Sequence, residues 1–168
     1  MLVMLHGAAL FGIEAIPIRI EVNTDRGIAY HLVGLPDSAI RESWYRMSAA
    51  LKNSGYRMPG KRITINLAPA NLRKEGSAYD LPMAIAILVS SRQIESVNHE
   101  AYLMMGELSL DGSLRPIKGV LPIALLARSR KFRGLILPKA NLKFLSLLYD
   151  VRSKKLAFNI TPILSVMA

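Results

Sequence analysis

A chain of 168 residues fits one domain, long enough to bury roughly two-thirds of the surface its unfolded form exposes. With no cysteine it has no disulfide framework, thiolate metal site or cysteine nucleophile, and its three histidines, His6, His31 and His99, lack ligand spacing. The net charge of +10 is lopsided: residues 1–110 carry 11 basic and 10 acidic side chains, whereas residues 111–168 carry 11 basic ones against Asp111 and Asp150 alone. Such a field attracts polyanions, nucleic acid first among them; an acidic partner domain or plain solubility explains it as well.

The apolar fraction is 51%, but charges, prolines and glycines break the runs well short of a membrane span. The opening "MLVMLHGAALFGIEAIPI" lacks a basic n-region and reads as a β-hairpin rather than a signal peptide, with the cytoplasm as the expected compartment. "IPIRIEV" (16–22) alternates as a half-buried strand, and "AYHLVGLP" (29–36) reads as its partner across the Asp25-Arg26-Gly27 turn. A helix follows over 37–55, with Ile40, Trp44, Met47 and Leu51 at helical spacing, Asp37 or Ser38 to cap it and Gly55 to end it.

"RITINLAP" alternates Ile63, Ile65 and Leu67 with polar residues, which predicts a strand. "LPMAIAILVSS" is apolar nearly all round and predicts a central buried helix, with Asp80 as N-cap and Pro82 in the first turn. "AYLMMGELSLDGSLRPIKG" gives two strands across Asp111-Gly112, "VLPIALLARSRK" an amphipathic helix, and "GLILP" (134–138) a short buried strand. Beyond Asn141 the punctuation weakens, and Leu142, Leu145 and Tyr149 sketch a helix face. The order ββαβαββαβ predicts an α+β fold, with helices packed on a mostly antiparallel or mixed sheet.

"GYRMPGKR" (55–62) has the G-x-x-x-x-G-K spacing of a phosphate-binding loop. Such a loop works between a strand and a helix, whose N-terminus faces the phosphates. Here it runs from a predicted helix to a predicted strand, Pro59 removes a backbone N–H, and Arg62 stands where a Ser or Thr should reach Mg²⁺. The residues predict no nucleotide hydrolysis in this segment.

"FGIEAIPIRIEVN", "HLVGLPDSAIRES", "ALKNSGYRMPGKRITINLAPANLRKEGSAYDLPMAIAIL" and "MGELSLDGSLRPIKGVLPIA", in that order, resemble the N-terminal domain of the magnesium-chelatase-like AAA+ ATPases known as ComM or YifB. The resemblance covers roughly residues 5–141, ending after "LILPKAN", so 1–141 reads as that domain and 142–168 as a divergent tail. It implies a bacterial protein in which a AAA+ module follows, binds ATP and Mg, and drives branch migration of DNA during competence. That module is absent from these residues, so no cofactor is expected here. The implied partners are DNA, the AAA+ module and neighbouring subunits in a ring.

The same domain is similar to the proteolytic domain of Lon-type proteases, which implies the Lon-protease/ribosomal-protein-domain-2-like fold and offers a Ser-Lys dyad to look for. "KEGSAYD" (74–80) resembles the Lon-type K-D-G-P-S-A-G; on that alignment the nucleophile position holds Ala78 and the base position Leu121, both inert. A displaced pair, Ser77 with Lys118, can be drawn, but a serine needs its base within hydrogen-bond reach and Lys118 precedes a glycine in an exposed turn.

Asp80 reads as a cap before a catalytic carboxylate, and Glu107 as a partner for a loop N–H or an arginine. Arg73 and Lys74, beside Glu75, read as serving turn geometry or a neighbouring subunit, while Trp44 and Met47, Met83, Met104 and Met105 read as core. In "ARSRKFRG", Arg128, Arg130, Lys131 and Arg133 surround Phe132, a pattern that holds phosphates while a base stacks, or that places cations at a helix C-terminus.

Overall fold

The computed structural model describes residues 1–95 and 98–142; the tail from residue 143, with the helix face drawn through Leu145 and Tyr149, lies outside them. In chain order the first elements are β1 (Leu2–Phe11), β2 (Glu14–Asp25), β3 (Ala29–Val33), α1 (Ser38–Arg41), α2 (Ser43–Asn53) and β4 (Arg62–Ala68). Then come α3 (Asp80–Ser90), β5 (Tyr102–Met104), β6 (Glu107–Leu108), β7 (Leu114–Arg115), α4 (Val120–Ser129) and β8 (Gly134–Ile136).

One six-stranded sheet, in the order β3-β4-β2-β1-β5-β8, carries the fold, and β6 pairs with β7 in a separate two-stranded hairpin. The sheet is mixed: β2 runs antiparallel to both β1 and β4, while β3–β4, β1–β5 and β5–β8 are parallel. The α+β architecture read from the sequence therefore holds.

Three local expectations do not. β3 follows the Asp25–Gly27 turn but does not pair with β2, because β1 and β4 occupy both edges of β2; β3 lies parallel to β4, reached through α1 and α2. The 37–55 helix is broken at Glu42 into α1 and α2. Of the segment expected to form two strands, the start is a third, β5, which joins the main sheet, leaving the short β6–β7 pair across Asp111-Gly112.

Alternation decides what each sheet face meets. Leu5 pairs with Ile20 and Val3 with Val22 on one face, continued by Ile63, Ile65 and Leu67 of β4, all of them buried. Thr24 shares that face and donates to the carbonyl of Ser90 at 3.1 Å, which places α3 there. All eleven residues of α3 are buried. The other face receives α4: Gly119 sits against Leu10, and Phe132, just past the helix, packs its ring on His6 with centroids 5.0 Å apart.

β2 alone runs against the common direction of the other sheet strands. The sheet consequently has an amino end, where those five begin, and a carboxyl end, where they deliver their loops.

Candidate functional site

Loops at the carboxyl ends of parallel strands are where open sheets usually build sites. Here the loops after β3 and β4 are knitted together. Lys74 N donates to Leu35 O at 3.1 Å, Asp37 N donates to Lys74 O at 3.0 Å, and Pro36 bridges Lys74 in parallel register. The Asp37 carboxylate caps α1 through Ile40 N at 2.9 Å and takes Gly76 N at 2.8 Å with its second oxygen. Gly34, at φ +99°, is the close approach in this weave, since a Cβ there would lie 2.2 Å from Leu67 O.

Lys74 belongs inside this weave, not on the turn's surface. Its side chain is buried, and its ammonium donates to Gly34 O at 3.0 Å and to Pro69 O. Burial pulls its pKa below the ordinary lysine value. Arg73 and Glu75, on either side, remain exposed and pair with each other at 3.1 Å.

Asp80 is not a cap. The 3₁₀ turn Ser77–Tyr79 already leads into α3, Asp80 adopts helical angles, and its carboxylate accepts from Arg46 Nε at 2.7 Å and Nη2 at 2.9 Å. Leu108 N adds a longer bond of 3.3 Å, and Arg46 Nη2 also donates to Ala39 O at 2.7 Å. Burial pushes the Asp80 carboxyl up from its ordinary value while Arg46 opposes the shift; Asp80 in turn raises Arg46. This bidentate pair clamps α2, α3 and β6 together.

Ser77 donates its hydroxyl to the Glu107 carboxylate, so the partner of Glu107 is a side chain rather than a loop N–H. Lys118 is exposed in the turn before Gly119. Ala78 and Leu121 are half-buried, and the Ala78 carbonyl accepts from Gly106 N at 2.7 Å. The serine proton is thus directed to a carboxylate, and the buried lysine of this region spends its donors on carbonyls.

The glycine-lysine run connects α2 to β4: Gly55 ends the helix at φ +82° and β4 starts at Arg62, in the helix-to-strand order expected. Arg128, Arg130, Lys131 and Arg133 are exposed around the end of α4, whereas Phe132 is half-buried against His6 and joins the core. Among the described residues no three His, Asp or Glu gather to hold a metal, and no helix is long and apolar enough to cross a membrane.

The family model described as subunit ChlI of Mg-chelatase matches residues 20–141. An uncharacterised protein of Salmonella typhimurium, YifB, is 47% identical over 124 residues, which cover 73% of this chain and 24% of that protein. YifB of Escherichia coli is 43% identical over 139 residues, covering 82% and 27%. Competence protein ComM of Haemophilus influenzae is 41% identical over 150 residues, covering 89% and 29%. The chain therefore spans less than a third of the length of these relatives.

Proposed function

Because this chain belongs to the Mg-chelatase-like family that includes ComM and YifB, we propose that it acts as the non-catalytic N-terminal domain of such a protein, beside a AAA+ module that processes DNA in the cytoplasm. The observation that carries the reading is the α2–β4 connection. A phosphate loop needs a helix N-terminus directly behind its glycines, and here a strand follows instead. Nucleotide chemistry therefore belongs to the AAA+ module, together with ATP and Mg.

The Ser77–Glu107 bond supports the same division, since it offers no lysine base to the hydroxyl. What remains for this domain is contact: with the AAA+ module, with neighbouring subunits, and with DNA. The Lon-protease-like fold implied by the same motifs belongs to this reading. Two assays on the intact chain test it, binding of a fluorescent ATP analogue with Mg²⁺ and hydrolysis of an unstructured peptide, with Ser77→Ala as control. Neither activity is expected. Saturable ATP binding, or peptide cleavage that disappears with the hydroxyl, would overturn the reading.

A further inference from the structure

Counted along the sequence, residues 1–110 are close to neutral, yet the fold gathers five of their eleven cations at one end of the sheet. Asp25 at the end of β2 pairs with Arg62 at the start of β4, and Ala29 at the start of β3 pairs with the same Arg62. Arg26, Lys61 and Arg62 thereby meet at the amino end of the sheet, around an open groove lined by Thr24–Gly27 and Gly60–Lys61. Arg57 and Arg92 stand at the same end: α3 finishes there through the Thr24–Ser90 bond, and Gln93 ties the two loops by accepting from Arg57 N at 3.1 Å and donating to Arg57 O at 2.9 Å.

Across the sheet, Arg133 N donates to Ala101 O at 2.8 Å, just before β5, and β8 begins at Gly134. Arg130, Lys131 and Arg133 therefore stand at the same end of the sheet as the first group, at the opposite edge. All these cations are exposed and none enters an ion pair among the described residues, against Asp25, Glu95 and Glu100 nearby. With strands about 4.8 Å apart, the four steps from β4 to β8 span about 19 Å. A duplex carries one charge per about 1.7 Å of axis, so a rim of that length faces on the order of ten phosphate charges.

We propose that the amino end of the sheet is a nucleic-acid backbone surface, in which Arg26, Arg57, Lys61, Arg62 and Arg92 extend the 130–133 cluster into one continuous rim. The proposal rests on the DNA reading above and adds its location. Guanidinium groups dominate the rim, and their forked donors match phosphate oxygens two at a time. The Arg62 guanidinium lies over Gly27, about a van der Waals contact from where a Cβ would stand, and Gly60 has open space around it, so the groove presents a forked donor beside bare backbone.

The test is fluorescence anisotropy of labelled duplex and single-stranded DNA with the intact chain over a range of salt. The variants are Arg26→Gln/Lys61→Gln/Arg62→Gln and, separately, Arg130→Gln/Lys131→Gln/Arg133→Gln. Each set should weaken binding, and on duplex DNA the first should lower the slope of log affinity against log salt by about 0.9 for each phosphate no longer neutralised, or roughly 2 to 3 in all. Should the first set fail to melt like the parent, Arg57→Gln/Arg92→Gln decides in its place. DNA binding that survives the first set but disappears with the second would refute the rim and leave the DNA reading intact. No binding at low salt by the parent chain refutes the DNA reading itself. Polyglutamate competing as well as DNA would reassign the rim to an acidic protein and overturn the proposal.

Discussion

Replacing Arg46 by alanine strips the partner from a carboxylate with 0% exposure. Two charge-assisted bonds of 2.7 and 2.9 Å disappear, and only Leu108 N, at 3.3 Å, still faces Asp80. Breaking one side of a buried ion pair costs about 3–5 kcal/mol, a large share of the roughly 5–15 kcal/mol that holds a domain folded. At about 2–4 °C per kcal/mol, the melting temperature should fall by about 6–20 °C. The sign of the pH effect follows from the direction of the shift. Burial already raises the Asp80 pKa, and without Arg46 only the long bond from Leu108 N opposes that rise. An acid that holds its proton more tightly when folded subtracts from stability once ionised, above its unfolded value, and the deficit shrinks as pH falls from neutrality toward the ordinary carboxylate range. Urea unfolding of Arg46→Ala and the parent at pH 7.5 and pH 5 reads both effects; Arg46→Met/Asp80→Leu should recover part of the loss. A deficit below about 1 kcal/mol, or one equal at both pH values, refutes the account of a buried, paired charge.

Gly34→Ala should destabilise by about 2 kcal/mol or more, combining positive-φ strain with a Cβ 2.2 Å from Leu67 O, whereas Gly55→Ala, with open space around it, should cost only about 1–2 kcal/mol; equal losses in urea would contradict the close approach. Lys74→Met keeps the apolar stem but leaves two carbonyls unpaired, for about 1–3 kcal/mol. Because burial depresses the Lys74 pKa, the parent should gain stability as pH rises toward the ordinary lysine value, a gain the Met variant lacks; parallel pH profiles would count against a buried ammonium. Tyr79→Phe removes the 2.9 Å bond to Ala8 O and should cost about 1 kcal/mol by chemical denaturation; an unchanged midpoint would say that water replaces it.

The sequence makes visible whatever is encoded locally. Alternation locates β2 and β4, and the unbroken apolar run locates α3, because burial of one strand face or a whole helix leaves a period in the chain. Pairing partners leave no such trace: the residues of β3 are compatible with either neighbour, and only the crossover through α1 and α2 decides for β4. The break at Glu42 is hidden for a similar reason, since Ile40, Met47 and Leu51 keep helical spacing across it. Asp80 fits a cap by type and position, but its partner Arg46 lies 34 residues away, and no local signal announces a pair at that separation. Lys74 is the least legible residue of the site, since a lysine between Arg73 and Glu75 looks solvated until the two loops close over it. The sequence singles out Ser77 and Glu107 separately, and the bond that joins them emerges only from the geometry.

Because every one of its eleven residues is buried, α3 has no outward face, whereas α4 buries Val120, Ile123, Ala124, Leu126 and Ala127 and exposes Leu125, Arg128 and Ser129. Substitutions scanned along α4 should therefore be tolerated in a helical rhythm. Along α3 no such rhythm can exist: a larger side chain anywhere on it must displace the sheet, α2 or the site loops. A helix of this kind ties the geometry of the carboxyl-end loops to the integrity of the core, so a substitution chosen to reshape those loops through α3 is also a test of whether the domain folds.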